Sequence, residues 1–141
     1  MAFVPDVRAR AEVDNLYVDP IEVMVVDDEP DIRFMLRVYL GRVSGFDLSR
    51  EAGNGAEAVE LVGVRCPEAV LLDIGMPVMN GIDATGQIRE RCPRTKIVIL
   101  SAFTAPELID EALARGADLY LEKTTPPKEI AAAIERLCHA A

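Results

Sequence analysis

The chain has 141 residues, a length for one domain with a core of its own. Half of the residues are hydrophobic and 28% are charged, which excludes a disordered or fibrous chain. The net charge of −9 argues against direct binding to a phosphate backbone or an anionic membrane, and no apolar run approaches the ~18 residues that span a bilayer.

Residues 1–20 carry no clear period, contain Pro5 and Pro20 and lack the apolar block of a secretory signal. They read as an N-terminal extension to a domain over residues 21–141. Short apolar runs predict buried strands over 22–26, 69–72, 96–100 and 118–121, and a weaker run over 47–52 predicts an edge strand. Helical spacing falls between them. Ile32, Met35, Leu36, Leu40 and Val43 form the first stripe, after Pro30. Ala58, Val59 and Val62 mark the second helix, Ala84 and Ile88 the third. Ile109, Ala112 and Leu113 mark the fourth, closed by Gly116, and Ile130, Ala133, Ile134 and Leu137 the fifth. Strands alternating with helices predict a parallel sheet covered on both faces. The expected fold class is α/β, a flavodoxin-like (βα)5 sandwich with strand order 2-1-3-4-5. The three cysteines fit no metal-ligand spacing. Cys66 and Cys92 each precede a proline and Cys138 falls on a helical stripe, so all three are read as free, inert thiols of a reducing cytoplasm.

In an open α/β sheet, ligands bind beyond the carboxyl ends of the strands. There the sequence places Asp27 and Asp28 after the first strand, Asp73 after the third, Ser101 after the fourth and Lys123 after the fifth. Three neighbouring carboxylates repel one another unless a proton or a cation intervenes. Oxygen ligands without histidine or cysteine favour Mg²⁺ over zinc, and Mn²⁺ can substitute. Asp73 beside such a cation is a candidate nucleophile for phosphoryl transfer, and Ser101 and Lys123 are candidate partners of the phosphoryl oxygens.

Four stretches carry a resemblance to a known family: Val25-Val26-Asp27-Asp28-Glu29-Pro30, Leu71-Leu72-Asp73-Ile74-Gly75-Met76-Pro77-Val78-Met79-Asn80-Gly81, Leu100-Ser101-Ala102 and Gly116-Ala117-Asp118-Leu119-Tyr120-Leu121-Glu122-Lys123. In this order they resemble the receiver domain of bacterial two-component response regulators, over about residues 21–137. The tail from Lys123 to Ile130 is similar to receivers that precede a LuxR-type DNA-binding domain, although the chain ends at Ala141.

The resemblance implies a role for each residue. Asp73 is the expected phosphoacceptor. Asp28, Asp73 and the Gly75 backbone carbonyl are the expected Mg²⁺ ligands, with Asp27 acting through water. Ser101 and Tyr120 are the expected switch pair, and Lys123 pairs with the phosphoryl group. Phe103 and Gly75 flank the expected path of attacking water. Thr124 stands where family members often have proline, so no cis bond is assumed there. The implied partners are a histidine kinase or phosphotransfer protein, and a downstream protein on the face of the fourth helix, fifth strand and fifth helix. A homodimer is compatible with this reading; membrane and direct nucleic-acid binding are not expected. The implied protein is cytoplasmic, is not an enzyme beyond turning over its own phosphate, and is either a stand-alone receiver or a fragment of a transcription regulator. Two other readings compete. A Mg²⁺-dependent phosphatase would act through Asp73 on external substrates, but so short a chain leaves little room for a cap domain. An interaction module that has lost phosphorylation would have no chemical need for Asp27, Asp28, Asp73, Ser101 and Lys123 together.

Overall fold

The computed structural model describes residues 20–76 and 79–139. The expected extension lies outside the described residues apart from Pro20, as does Pro77 of the loop after Asp73. Five strands alternate with five helices: β1 (Val23–Val26), α1 (Pro30–Val43), β2 (Glu51–Ala52), α2 (Gly55–Val64), β3 (Ala69–Leu72), α3 (Gly81–Arg91), β4 (Lys96–Ser101), α4 (Pro106–Ala114), β5 (Leu119–Glu122) and α5 (Pro127–His139). All pairings are parallel and the sheet order is β2-β1-β3-β4-β5, as expected.

The apolar runs divide between the two faces of the sheet by the two-residue period of a strand. Met24, Val26, Val70, Leu72, Ile97 and Ile99 pack under α2 and α3, against Val59, Val62, Ile82 and Ile88, with Ala112 of α4. Their neighbours Val23, Val25, Leu71, Val98 and Leu100 face the other way, against Leu40 of α1 and Ile130 and Ile134 of α5. Burying each such side chain contributes roughly 1.5–3 kcal/mol, so the central strands hold the domain together.

The helix starts are written locally. Asn54 Oδ1 accepts from the Glu57 N–H at 2.8 Å, while Glu57 Oε1 accepts from the Gly53 N–H. Asn80 caps α3 through the Asp83 N–H at 2.9 Å. Proline opens α1 and α4. Among the described residues no helix is long and apolar enough to cross a membrane, and no peptide bond is cis, including that after Lys123.

Four expectations need correction. The edge strand expected over 47–52 is only Glu51–Ala52 plus an isolated bridge between Glu22 and Asp47. The Asp47 carboxylate accepts from the Ser49 N–H, and this side-chain turn interrupts the ladder. The fifth strand is half-exposed rather than buried, because it is the outer strand beyond β4. Met35 and Val43, expected on the inner stripe of α1, are 45% and 42% exposed; α1 meets the core through a narrower face centred on Leu40. Finally, Cys66 and Cys92 are not free thiols. They form a disulfide with their Cα atoms 5.7 Å apart, and Cys138 alone is free. The neighbouring helices α2 and α3 end side by side, which brings together two residues 26 apart in sequence.

Below the sheet, Arg89 of α3 acts as a fastener. Its guanidinium donates to the carbonyls of Pro93, Thr95 and Gly116 at 2.7–3.2 Å and to Asp118 Oδ2 at 2.7 Å. Asp118 Oδ2 also accepts from the Ile97 N–H at 2.8 Å. Gly116 has φ +119°, and a Cβ there would meet the Arg89 side chain at 2.9 Å.

Candidate functional site

Parallel strands deliver their carboxyl ends to one edge, and the ladder continues past the strands to fix the residues that follow. The Asp27 N–H donates to Ala52 O, the Asp73 N–H to Val26 O and the Lys123 N–H to Ser101 O, at 2.9–3.1 Å. Carboxylate oxygens of Asp27, Asp28 and Asp73 then lie within 4.8 Å of one another. Lys123 Nζ is 3.0 Å from Asp27 Oδ2 and 3.5 Å from Asp73 Oδ2. The structure therefore brings four of the expected site residues into one cluster. Asp27 and Asp73 are buried, whereas Asp28 faces solvent.

Electrostatics follow from that packing. Burial raises the pKa of Asp73, and the Asp27 charge adds to this; the Gly75 N–H and the Lys123 ammonium pull it down without cancelling the rise. For Lys123 burial acts to lower the pKa, but its hydrogen bond to Asp27 and the charges of Asp73 and Asp27 outweigh it, so the ammonium is held above its usual value. Two further hydrogen bonds orient the acids. Asp73 Oδ1 accepts from the Gly75 N–H at 3.2 Å and Asp27 Oδ1 from the Glu29 N–H at 3.0 Å. Three carboxylates and no nearby imidazole or thiol form a hard-oxygen set open to solvent at Asp28, which suits a small divalent cation.

The remaining expected residues form a second line beside the cluster. Ser101 is fully buried and its Oγ accepts from the Phe103 N–H at 3.0 Å. The Tyr120 hydroxyl donates to the Phe103 carbonyl at 2.6 Å. Phe103 thus connects the hydroxyl and the aromatic residue expected to act as a pair. Its ring also covers Gly75, where an added Cβ would lie 2.8 Å from Phe103 Cε2. Gly81 sits equally close on the other side: a Cβ there would be 2.3 Å from the Asp73 carbonyl oxygen. One participant escaped sequence reasoning. Arg33, in the first turn of α1, donates to the Asp27 carbonyl at 2.6 Å and is held by Glu51 at 2.6 Å. Its place in the first turn of the helix that follows the acidic run Asp27-Asp28-Glu29 is the signal that was there to read.

Residues 23–135 match the family model described as the response regulator receiver domain. The response regulator protein VraR of Staphylococcus saprophyticus is 34% identical over 83% of this chain and 56% of its own length. The transcriptional regulatory protein YxjL of Bacillus subtilis, itself uncharacterised, is 37% identical over 82% of this chain and 53% of its own. The chain thus spans about half the length of the curated relatives it matches. Among solved structures, the signal receiver domain of the NarL response regulator of Mycobacterium tuberculosis superposes with a TM-score of 0.82 at 29% identity, over 88% of this chain and all of that one.

Proposed function

Because the chain belongs to the response regulator receiver domain family, we propose that it accepts a phosphoryl group on Asp73 from a histidine kinase, a phosphotransfer protein or a small phosphodonor. The observation that carries this reading is the convergence of Asp27, Asp28, Asp73 and Lys123 at one sheet edge.

The Asp73 carboxylate attacks phosphorus in line with the departing donor, forming an aspartyl phosphate. The Gly75 N–H holds the carboxylate in position from below. Lys123, fixed through its own backbone N–H on Ser101, neutralises charge on the transferred oxygens. Asp28, Asp73 and the Gly75 carbonyl would hold Mg²⁺, or Mn²⁺ in its place, with Asp27 acting through water. The ion supplies charge neutralisation at the phosphoryl oxygens. The product adds about −1.5 to −2 charges. Ser101 would then move its Oγ off the Phe103 N–H to donate its O–H to a phosphoryl oxygen, weakening the Phe103 segment that also anchors the Tyr120 hydroxyl. Tyr120 would turn inward, biasing a two-state equilibrium on the surface of α4, β5 and α5 where a downstream protein docks. In this reading the chain is a cytoplasmic signalling module and not an enzyme, turning over only its own phosphate.

The test is intact mass after incubation with a small phosphodonor, with and without Mg²⁺, beside Asp73→Asn. A Mg²⁺-dependent gain of one phosphoryl group, absent from the variant, is expected. Equal labelling of Asp73→Asn would remove Asp73 from its role. Turnover of an external phosphomonoester would favour the phosphatase reading instead.

A further inference from the structure

We propose that Cys66 and Cys92 form a reversible thiol–disulfide site, served by a cleft that takes a carboxylate-bearing low-molecular-weight thiol. The pair lies at the sheet edge opposite Asp73. Cys66 follows the C-terminal end of α2 and Cys92 caps that of α3. Their accessibilities differ sharply: Cys66 is exposed, whereas Cys92 is 1% exposed. A cleft of about 430 Å³ runs against both, walled by Pro67, Glu68, Arg94, Lys96 and Cys138 among others. Two cations against one carboxylate favour an anionic occupant, and the sulfur that an incoming thiol reaches is that of Cys66.

The exchange balances with a low-molecular-weight disulfide as oxidant. The Cys66 thiolate attacks one sulfur of R–S–S–R, forming Cys66–S–S–R and releasing RS⁻. Cys92 gives its proton to that RS⁻ and attacks Cys66 Sγ, forming the protein disulfide and releasing a second RS⁻, which takes a proton from water. Two protein thiols are oxidised and one external disulfide is reduced to two thiols. In reverse, an external thiolate attacks the exposed Cys66 sulfur, and the electron pair of the broken S–S bond goes to Cys92.

The surroundings set how the site behaves. Cys92 Sγ lies 3.6 Å from the Val62 carbonyl oxygen and Cys66 Sγ 3.9 Å from that of Arg91. A disulfide has no proton to donate, so these contacts become S–H···O bonds only on reduction. Both sulfurs also sit at the negative ends of helices, which disfavour thiolates. Exchange at this pair is therefore slow. Cys138 stays out of the exchange: burial raises its thiol pKa and the Glu68 charge adds to the rise, while Lys96 pulls it down without cancelling it.

The full chain is equilibrated with mixtures of reduced and oxidised glutathione at neutral pH, unfolded, alkylated and mapped by mass. At the oxidised end one alkylated cysteine, Cys138, and a linked Cys66–Cys92 peptide are expected; at the reduced end, three alkylated cysteines. Cys92→Ser should trap one glutathione on Cys66, and Cys66→Ser, a change at an exposed position, should trap none on Cys92. Both variants are first shown to unfold cooperatively. The double variant Arg94→Ala/Lys96→Ala should slow the reaction with oxidised glutathione several-fold but leave that with uncharged hydroxyethyl disulfide unchanged. The proposal is overturned by a linked peptide that never forms, by one that persists at every ratio, by glutathione captured on Cys138 instead of Cys66, or by equal slowing with both disulfides.

Discussion

Lys123→Met is the substitution that tests the site most directly. It keeps most of the apolar stem and removes the one cation that, among the described residues, lies within salt-bridge distance of Asp27 and Asp73, at 3.0 and 3.5 Å. Asp27 is 2% exposed, so its charge has little water to fall back on. Breaking a fully buried pair costs ~3–5 kcal/mol. The Lys123 side chain keeps 28% exposure, and solvent screening reduces the expected loss to about 2 kcal/mol. The same geometry predicts compensation. A divalent cation among Asp27, Asp28 and Asp73 supplies the missing charge and no longer competes with the ammonium. Saturating Mg²⁺ should therefore stabilise the variant more than the parent; binding at a hundredfold excess over Kd contributes about 2.7 kcal/mol. Urea unfolding at neutral pH, with chelator and then with Mg²⁺, reads both effects. A variant as stable as the parent in chelator, or an equal Mg²⁺ effect on the two, would refute the idea that Lys123 and a cation share these oxygens.

Other outcomes follow from the same packing. The raised pKa of Asp73 means that its ionised form costs stability as pH climbs from the unfolded value of 3.8 through the folded one. Without metal, Asp73→Asn should be more stable than the parent at neutral pH, with a gap that closes in acid; thermal unfolding across pH measures it, and a gap that widens in acid would contradict the sign. Gly81→Ala pushes a Cβ against the Asp73 carbonyl and the Ile74 Cα, at 2.3 and 2.5 Å. It should cost about 1–3 kcal/mol in urea unfolding and slow phosphorylation. Reducing the Cys66–Cys92 bond reopens a loop of 26-residue separation, which should lower the unfolding free energy by about 3.5 kcal/mol on the chain-entropy account. Thr95→Val removes the buried hydroxyl's 2.7 Å bond to the Pro67 carbonyl and should cost roughly 1–2 kcal/mol.

The sheet and its order were legible because apolar runs and helical stripes alternate along the chain, which leaves few arrangements of parallel strands. The acidic cluster was legible for a related reason: parallel strands must end at one edge, so residues after each run meet there. What escaped depends on the third dimension. Nothing in the spacing of Cys66 and Cys92 records that α2 and α3 end side by side. The stripe of α1 could not tell Leu40, which reaches the core, from Met35, which faces solvent. Phe103 was visible as a neighbour of Ser101, but its carbonyl's bond to Tyr120 arises only when β4 and β5 lie together.

Arg89 gives the domain a stiff end and a responsive one. Its guanidinium stitches the α3–β4 connection to the α4–β5 connection, both at the edge away from Asp73. A force on the upper loops therefore meets a hinge that is already clamped below. In the proposed switch, a displacement started at Ser101 and Phe103 would meet this clamp before it could slide β4 along β5. It would pass instead to Tyr120, whose hydroxyl is tied to the Phe103 carbonyl. The lower connections should keep their slow amide exchange when the upper ones loosen, and a domain without Arg89 should spread the same perturbation along its whole length.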